Sequence, residues 1–255
     1  LDSTVETEFR VELDDIRRLA QYNVEGFSGS AEGTGRINAS WKEDITADLQ
    51  GELTVENVQS EVLKIQNIQT DFSGGYTEKG LNLRLQNRME EFNGAGVQMP
   101  EMKMDAELSF DQNQLIVHGM LDSGSSTREA VRVGDGTIMI DRIQGAFYLE
   151  QKDQLQLYTK DMRIGQVLIA PAQYKVDGGP IFLELKEDEL VAELNLMRGD
   201  RTFIGVGARS NLSQGDWLID RLIISPTEQE EENWVVEDGL EFSLSESGVE
   251  GFELQ

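Results

Sequence analysis

Few residues in this chain could do chemistry. His118 is the one histidine, so any Ser-His-Asp relay would have to use it. It lies in Leu115-Ile116-Val117-His118-Gly119, where the pattern favours an outward-facing strand residue. With one histidine and no cysteine, a zinc ion would depend on carboxylates, and none is expected. Glu90-Glu91 and the run Glu228 to Glu232 could hold calcium weakly, but neither follows an EF-hand loop. A glycosidase needs two carboxylates flanking a sugar, and no aromatic cluster marks a platform for one. Gly26 to Gly35 is glycine-rich, yet it lacks the Lys-Ser/Thr ending of a phosphate loop. The chain therefore reads as non-enzymatic, with no catalytic residue, metal or cofactor.

Charge narrows the partners. The 255 residues carry 22 basic and 48 acidic side chains, a formal charge of -26. That field repels nucleic acid and anionic membranes. The absence of cysteine excludes a disulfide framework. No stretch approaches the roughly 20 apolar residues of a membrane-spanning helix, and no signal peptide is visible. Both termini fall within patterned sequence, so residues 1–255 are expected to be one continuous β-sheet piece of a longer protein.

The dominant signal is alternation with period two, as in Leu81-Asn82-Leu83-Arg84-Leu85 and Met102-Lys103-Met104-Asp105-Ala106-Glu107-Leu108-Ser109-Phe110. It recurs in Leu190 to Leu196 and in Leu240-Glu241-Phe242-Ser243-Leu244. Alternate strand side chains point to opposite faces, so each run has one dry and one wet side. The expected apolar face holds Leu81, Leu83, Leu85, Met102, Met104, Leu108, Phe110, Leu190, Leu194, Leu196, Phe242 and Leu244. Asn82, Arg84, Lys103, Asp105, Glu107, Glu193, Glu241 and Ser243 should face water.

Tight reversals are expected at Ser73-Gly74-Gly75, Asn93-Gly94, Asp111-Gln112-Asn113, Gly134-Asp135-Gly136, Asp177-Gly178-Gly179, Arg198-Gly199-Asp200 and Asp238-Gly239. Their spacing implies about 14 to 18 strands. Gly205-Val206-Gly207 suggests a bulge within a strand. Ile16, Leu19 and Ala20 fall at helical spacing after Asp14 and Asp15, which predicts a short helix over about 13–22. Small polar residues over 123–131 predict a flexible loop.

Two passages resemble the TamB and AsmA-like proteins. The first runs from Leu13-Asp14-Asp15-Ile16-Arg17-Arg18-Leu19 through Gly26 to Ile37 and on to Asp48-Leu49-Gln50-Gly51-Glu52-Leu53. The second begins at Trp217 and continues in the alternating strand after Trp234. The resemblance implies a long antiparallel sheet curled into a half-pipe, β-taco-like, with an apolar concave face. It further implies a bridge between inner and outer membranes in the bacterial periplasm, anchored in the inner membrane by a segment outside this chain. Phospholipid acyl chains and an Omp85-type outer-membrane protein would be its partners. Alternation alone equally suits a structural or adhesive β-sandwich or solenoid whose dry faces pack on each other. A carbohydrate-active β-protein ranks below both. The deciding feature is whether protein covers the dry face.

Overall fold

In a computed structural model the described residues are 3–16, 28–41, 44–60, 63–94, 97–111, 114–123, 131–133, 138–152, 154–169, 174–211, 216–225, 234–236, 240–245 and 248–254. Every regular element is a β-strand. The first seven are β1 (Ser3–Leu13), β2 (Ser28–Trp41), β3 (Ile45–Gln59), β4 (Leu63–Thr77), β5 (Gly80–Gly94), β6 (Val97–Asp111) and β7 (Gln114–Ser123). Next come β8 (Val131–Val133), β9 (Ile138–Ile140), β10 (Ile143–Gln151), β11 (Leu155–Ile164), β12 (Val167–Ile169), β13 (Tyr174–Val176) and β14 (Pro180–Lys186). The chain continues with β15 (Glu189–Arg198), β16 (Arg201–Asn211), β17 (Asp216–Ile224), β18 (Trp234–Val236), β19 (Leu240–Ser245) and β20 (Gly248–Leu254).

All pairings are antiparallel and all 20 strands form one sheet. Hydrogen-bonded neighbours run β1, β2, β3, β4, β5, β6, β7, β10, β11, β14, β15, β16, β17, β19, β20. The short strands continue these lines beyond a break. Thus β6 pairs with β7 at Met102↔Ser123 and with β8 at Val97↔Val133, so β7 and β8 are two halves of one interrupted strand. The pairings of β9 with β12 and of β12 with β13 likewise extend those of β10 with β11 and of β11 with β14. The topology is therefore a simple meander of local hairpins. Among the described residues β1 and β20 do not pair, and the sheet is open.

The breaks line up. Register slips at Gly29 on β2 and at Asn57 on β3, where φ is 54°. Gln66 and Glu91, with φ 52°, drop out of the β4–β5 pairing, and Pro100 faces Glu91 across β5–β6. The line continues through the β7–β8 break, Asp141-Arg142, Gly165-Gln166 and Asp177-Gly178-Gly179 to the shift at Met197. Each irregular residue bends its strand, so together they crease the sheet across its width.

On one side of the crease the apolar face is a packed core. Val131, Ile140, Ile164, Val167, Val176 and Leu196 form one buried cluster, with Val131 fully inaccessible. Ile16, Val58 and Ile65 form a second. Ser123 is buried there as well, Thr159 is buried farther along the face in the Phe147 row, and each satisfies its hydroxyl on a backbone. Ser123 Oγ accepts from Ile143 N at 3.1 Å, and Thr159 Oγ1 accepts from Leu183 N at 2.8 Å. On the other side several large side chains of the same face stay open, for Val5, Trp41, Ile45, Tyr76, Phe110 and Leu155 keep 39–61% of their surface in water, while the small Ala106 and Ser210 are buried.

Several sequence expectations need correction. The helix expected over about 13–22 falls mainly on residues 17–22; before them Leu13 ends β1, Asp14 and Asp15 are irregular, and Ile16 has a 3₁₀ conformation. Residues 17–22 lie outside the described residues. Ser123 and Val131, expected in a flexible loop, are buried strand ends; residues 124–130 lie outside the described residues. Ser73-Gly74-Gly75 is interior to β4, and the chain reverses at Glu78-Lys79 instead. Asp177-Gly178-Gly179 interrupts a continuing strand rather than reversing it, since β13 pairs with β12 as β14 pairs with β11; residues 238–239 lie outside the described residues. The expected bulge near Gly205 to Gly207 is present as a register shift after Gly207.

Candidate functional site: the apolar sheet face

Register brings the expected apolar residues together. Leu81, Leu83 and Leu85 stand opposite Phe110, Leu108 and Ala106. Met104 faces Asn87 on one side and Leu121 on the other. The row through Leu83 continues as Leu108, Val117, Leu149, Leu157, Leu185 and Leu190. The next rows carry Leu183 to Ala192, and Ile181 to Leu194 and Val206. Phe242 pairs with Trp217, and Leu244 follows two residues on, which puts both backbones in the same rows; their side chains lie outside the described residues. Leu196 and Leu194 differ from the rest, for Leu196 is only 7% exposed and Leu194 packs against the buried cluster.

The middle row is lined by small residues with aromatic rings laid over them. A Cβ on Gly51 would come within 2.6 Å of Phe72 Cζ, and one on Gly119 within 2.8 Å of Phe147 Cζ. Gly35 is covered by the Phe9 ring in the same way. The glycines let the rings lie flat, which keeps this row low between its taller neighbours.

Asn82, Arg84, Lys103, Asp105, Glu107 and Glu193 are exposed on the opposite face; the side chains of Glu241 and Ser243 lie outside the described residues. Cations on that face sit among carboxylates of their own strand or of the adjacent one. Arg36 reaches Glu6 at 3.2 Å and Glu8 at 2.9 Å, and Arg88 reaches Glu90 at 3.2 Å and Glu101 at 3.0 Å. Arg10 pairs with Glu12 and Glu32. Arg142 grips Asp122 through two hydrogen bonds of 2.8 and 2.6 Å. That hydrogen bonding lowers the Asp122 carboxyl below its ordinary value and outweighs the opposing effect of its burial. Such exposed pairs add little stability individually, but they keep the face wet. A wide hollow of about 990 Å³ lies among Glu8, Arg36, Glu52, Asp71 and Arg84 on this side.

His118 is on the polar face too, with Nε2 3.1 Å from Glu107 Oε2. It begins a ladder that the sequence did not reveal. Tyr148 stacks on its ring at 6.3 Å, and Tyr158 stacks on Tyr148 at 4.9 Å with planes 6° apart. The three lie opposite one another on β7, β10 and β11. Among the described residues no group of three His, Asp or Glu could hold a metal ion, and no helix is long and apolar enough to cross a membrane.

No family model, curated protein or solved structure matches this chain. The site therefore rests on its own geometry.

Proposed function

We propose that this chain is a non-enzymatic groove protein that shields lipid acyl chains on its apolar face as they pass between membranes. The carrying observation is that face: apolar rows run in register from strand to strand, and those beyond the crease keep large side chains in water. Fifteen neighbouring strands at about 4.8 Å give a path of roughly 67 Å, longer than the roughly 30 Å hydrocarbon core of a bilayer. Each methylene removed from water gains about 0.8 kcal/mol, which a continuous row supplies without specific contacts. The nearly complete burial below the crease fits a sheet that curls toward its apolar side, the half-pipe of the TamB and AsmA-like proteins. In that setting the chain is periplasmic, its inner-membrane anchor lies outside residues 1–255, and an Omp85-type protein is its outer-membrane partner.

A second reading has its own support. The buried cluster around Val131 is what a structural β-protein with a packed core would show. Phospholipid transfer separates the two. The purified chain, mixed with labelled phosphatidylethanolamine vesicles and re-isolated, should retain lipid that Leu83→Arg abolishes, since an unpaired charge in an apolar row is unfavourable. No retained lipid at any vesicle concentration would favour the packed structural protein.

A further inference from the structure

Within the open apolar rows Asn87 and Thr70 form a polar pair across two strands. Asn87 alternates with Leu85 and Met89 on β5, and it stands between Thr70 on β4 and Met104 on β6. Thr70 Oγ1 donates to Asn87 Oδ1 at 2.7 Å, which uses the amide oxygen and leaves Nδ2 on the side away from Thr70. Asn87 Nδ2 is shielded from water and has no partner among the described residues. Buried amide groups are nearly always paired, so an unpaired one calls for an explanation. Two of the side chains around it, Met89 and Met104, are flexible thioethers that can swing aside without loss of apolar contact.

We propose that Asn87 is an anchoring residue for an ester carbonyl, the group that an acyl lipid carries and a plain hydrocarbon lacks. The inference rests on the groove reading and deepens it. An acyl chain lying along the low row through Leu85 and Ala106 passes beside the Asn87 row, close enough for its ester end to turn toward Nδ2. There the carbonyl oxygen accepts the free N–H while Thr70 holds the amide in place. The anchor gives acyl esters a pause point on an otherwise uniform path. An ether oxygen, a poorer acceptor, gains little from the same donor.

The test compares a short-chain diacyl phosphatidylcholine with its dialkyl ether analogue of equal length, each below its micelle threshold, by titration calorimetry on the full chain. The diester should bind about 3- to 10-fold more tightly than the diether, the worth of one hydrogen bond, and Asn87→Leu should equalise the two. Equal affinities in the unaltered chain would overturn the anchor while leaving the groove standing. Binding of neither lipid would overturn the groove and the anchor with it. The Asn87 side-chain amide resonance in ¹⁵N spectra keeps the test independent of the variant's folding: it should shift with the diester alone, and a shift with both lipids or with neither refutes the anchor.

Discussion

Truncating Leu196 and Phe110 to alanine probes the division of the apolar face at the crease. Both residues belong to apolar rows, yet Leu196 is 7% exposed and Phe110 is 45% exposed. Leu196 sits among Ile164, Val176 and Ile204, so removing its three outer carbons forfeits their transfer free energy and leaves a void. The expected loss is about 3 kcal/mol. Phe110 is the larger side chain, but nearly half of it already meets water, and no shell of side chains encloses the space it leaves. Fully burying such a residue is worth about 1.5–3 kcal/mol, so its half-exposed state implies a loss of about 1 kcal/mol. Urea unfolding followed by circular dichroism reads both. With a slope near 3 kcal/mol/M, reasonable for a chain of this size, Leu196→Ala should lower the midpoint by about 1 M and Phe110→Ala by about 0.3 M. Equal shifts, or a larger one for Phe110→Ala, would mean that the face beyond the crease is covered and the division is wrong.

Acid titration should expose the Asp122–Arg142 pair. The Asp122 carboxyl titrates lower in the folded chain than when unfolded, so its contribution is present above about pH 4 and is lost as pH falls through the folded value. Melting temperature against pH should fall more steeply below about pH 4 in the native chain than in Arg142→Gln, and parallel curves would contradict this. At Gly145, where φ is 155°, a Cβ would overlap the Met162 backbone. Gly145→Val should destabilise by about 2 kcal/mol or more, whereas Gly199→Asn, with nothing near and φ 61°, should change stability by less than about 1 kcal/mol. Thermal unfolding of the two variants checks both.

The dry and wet faces were legible because period-two alternation is imposed by the pleat itself. Leu81 to Leu85 and Met102 to Phe110 alternate strictly, and their pairing follows from short hairpins. The crease was not legible. It is made by non-glycine residues such as Asn57 and Glu91 in a left-handed conformation, held there by neighbouring strands rather than by local preference. Gly74 misled for the converse reason. It looks like a turn residue, yet it sits mid-strand, where a Cβ would crowd the backbone of Leu83. Asn87 was hidden in the polar stretch Gln86-Asn87-Arg88, and only its register with Met104 puts it on the apolar face. The His118–Tyr148–Tyr158 ladder joins residues on three strands, a juxtaposition that only the pairing register defines.

Site-specific photo-crosslinking in bacterial cells addresses the central claim most directly. A crosslinker at Leu83 or Met104, in the open apolar rows, should capture phospholipid. One at Arg84 or Lys103, a single residue away on the opposite face, should not. Capture confined to the apolar positions is the result that the groove predicts; equal capture on both faces, or none on either, would contradict it.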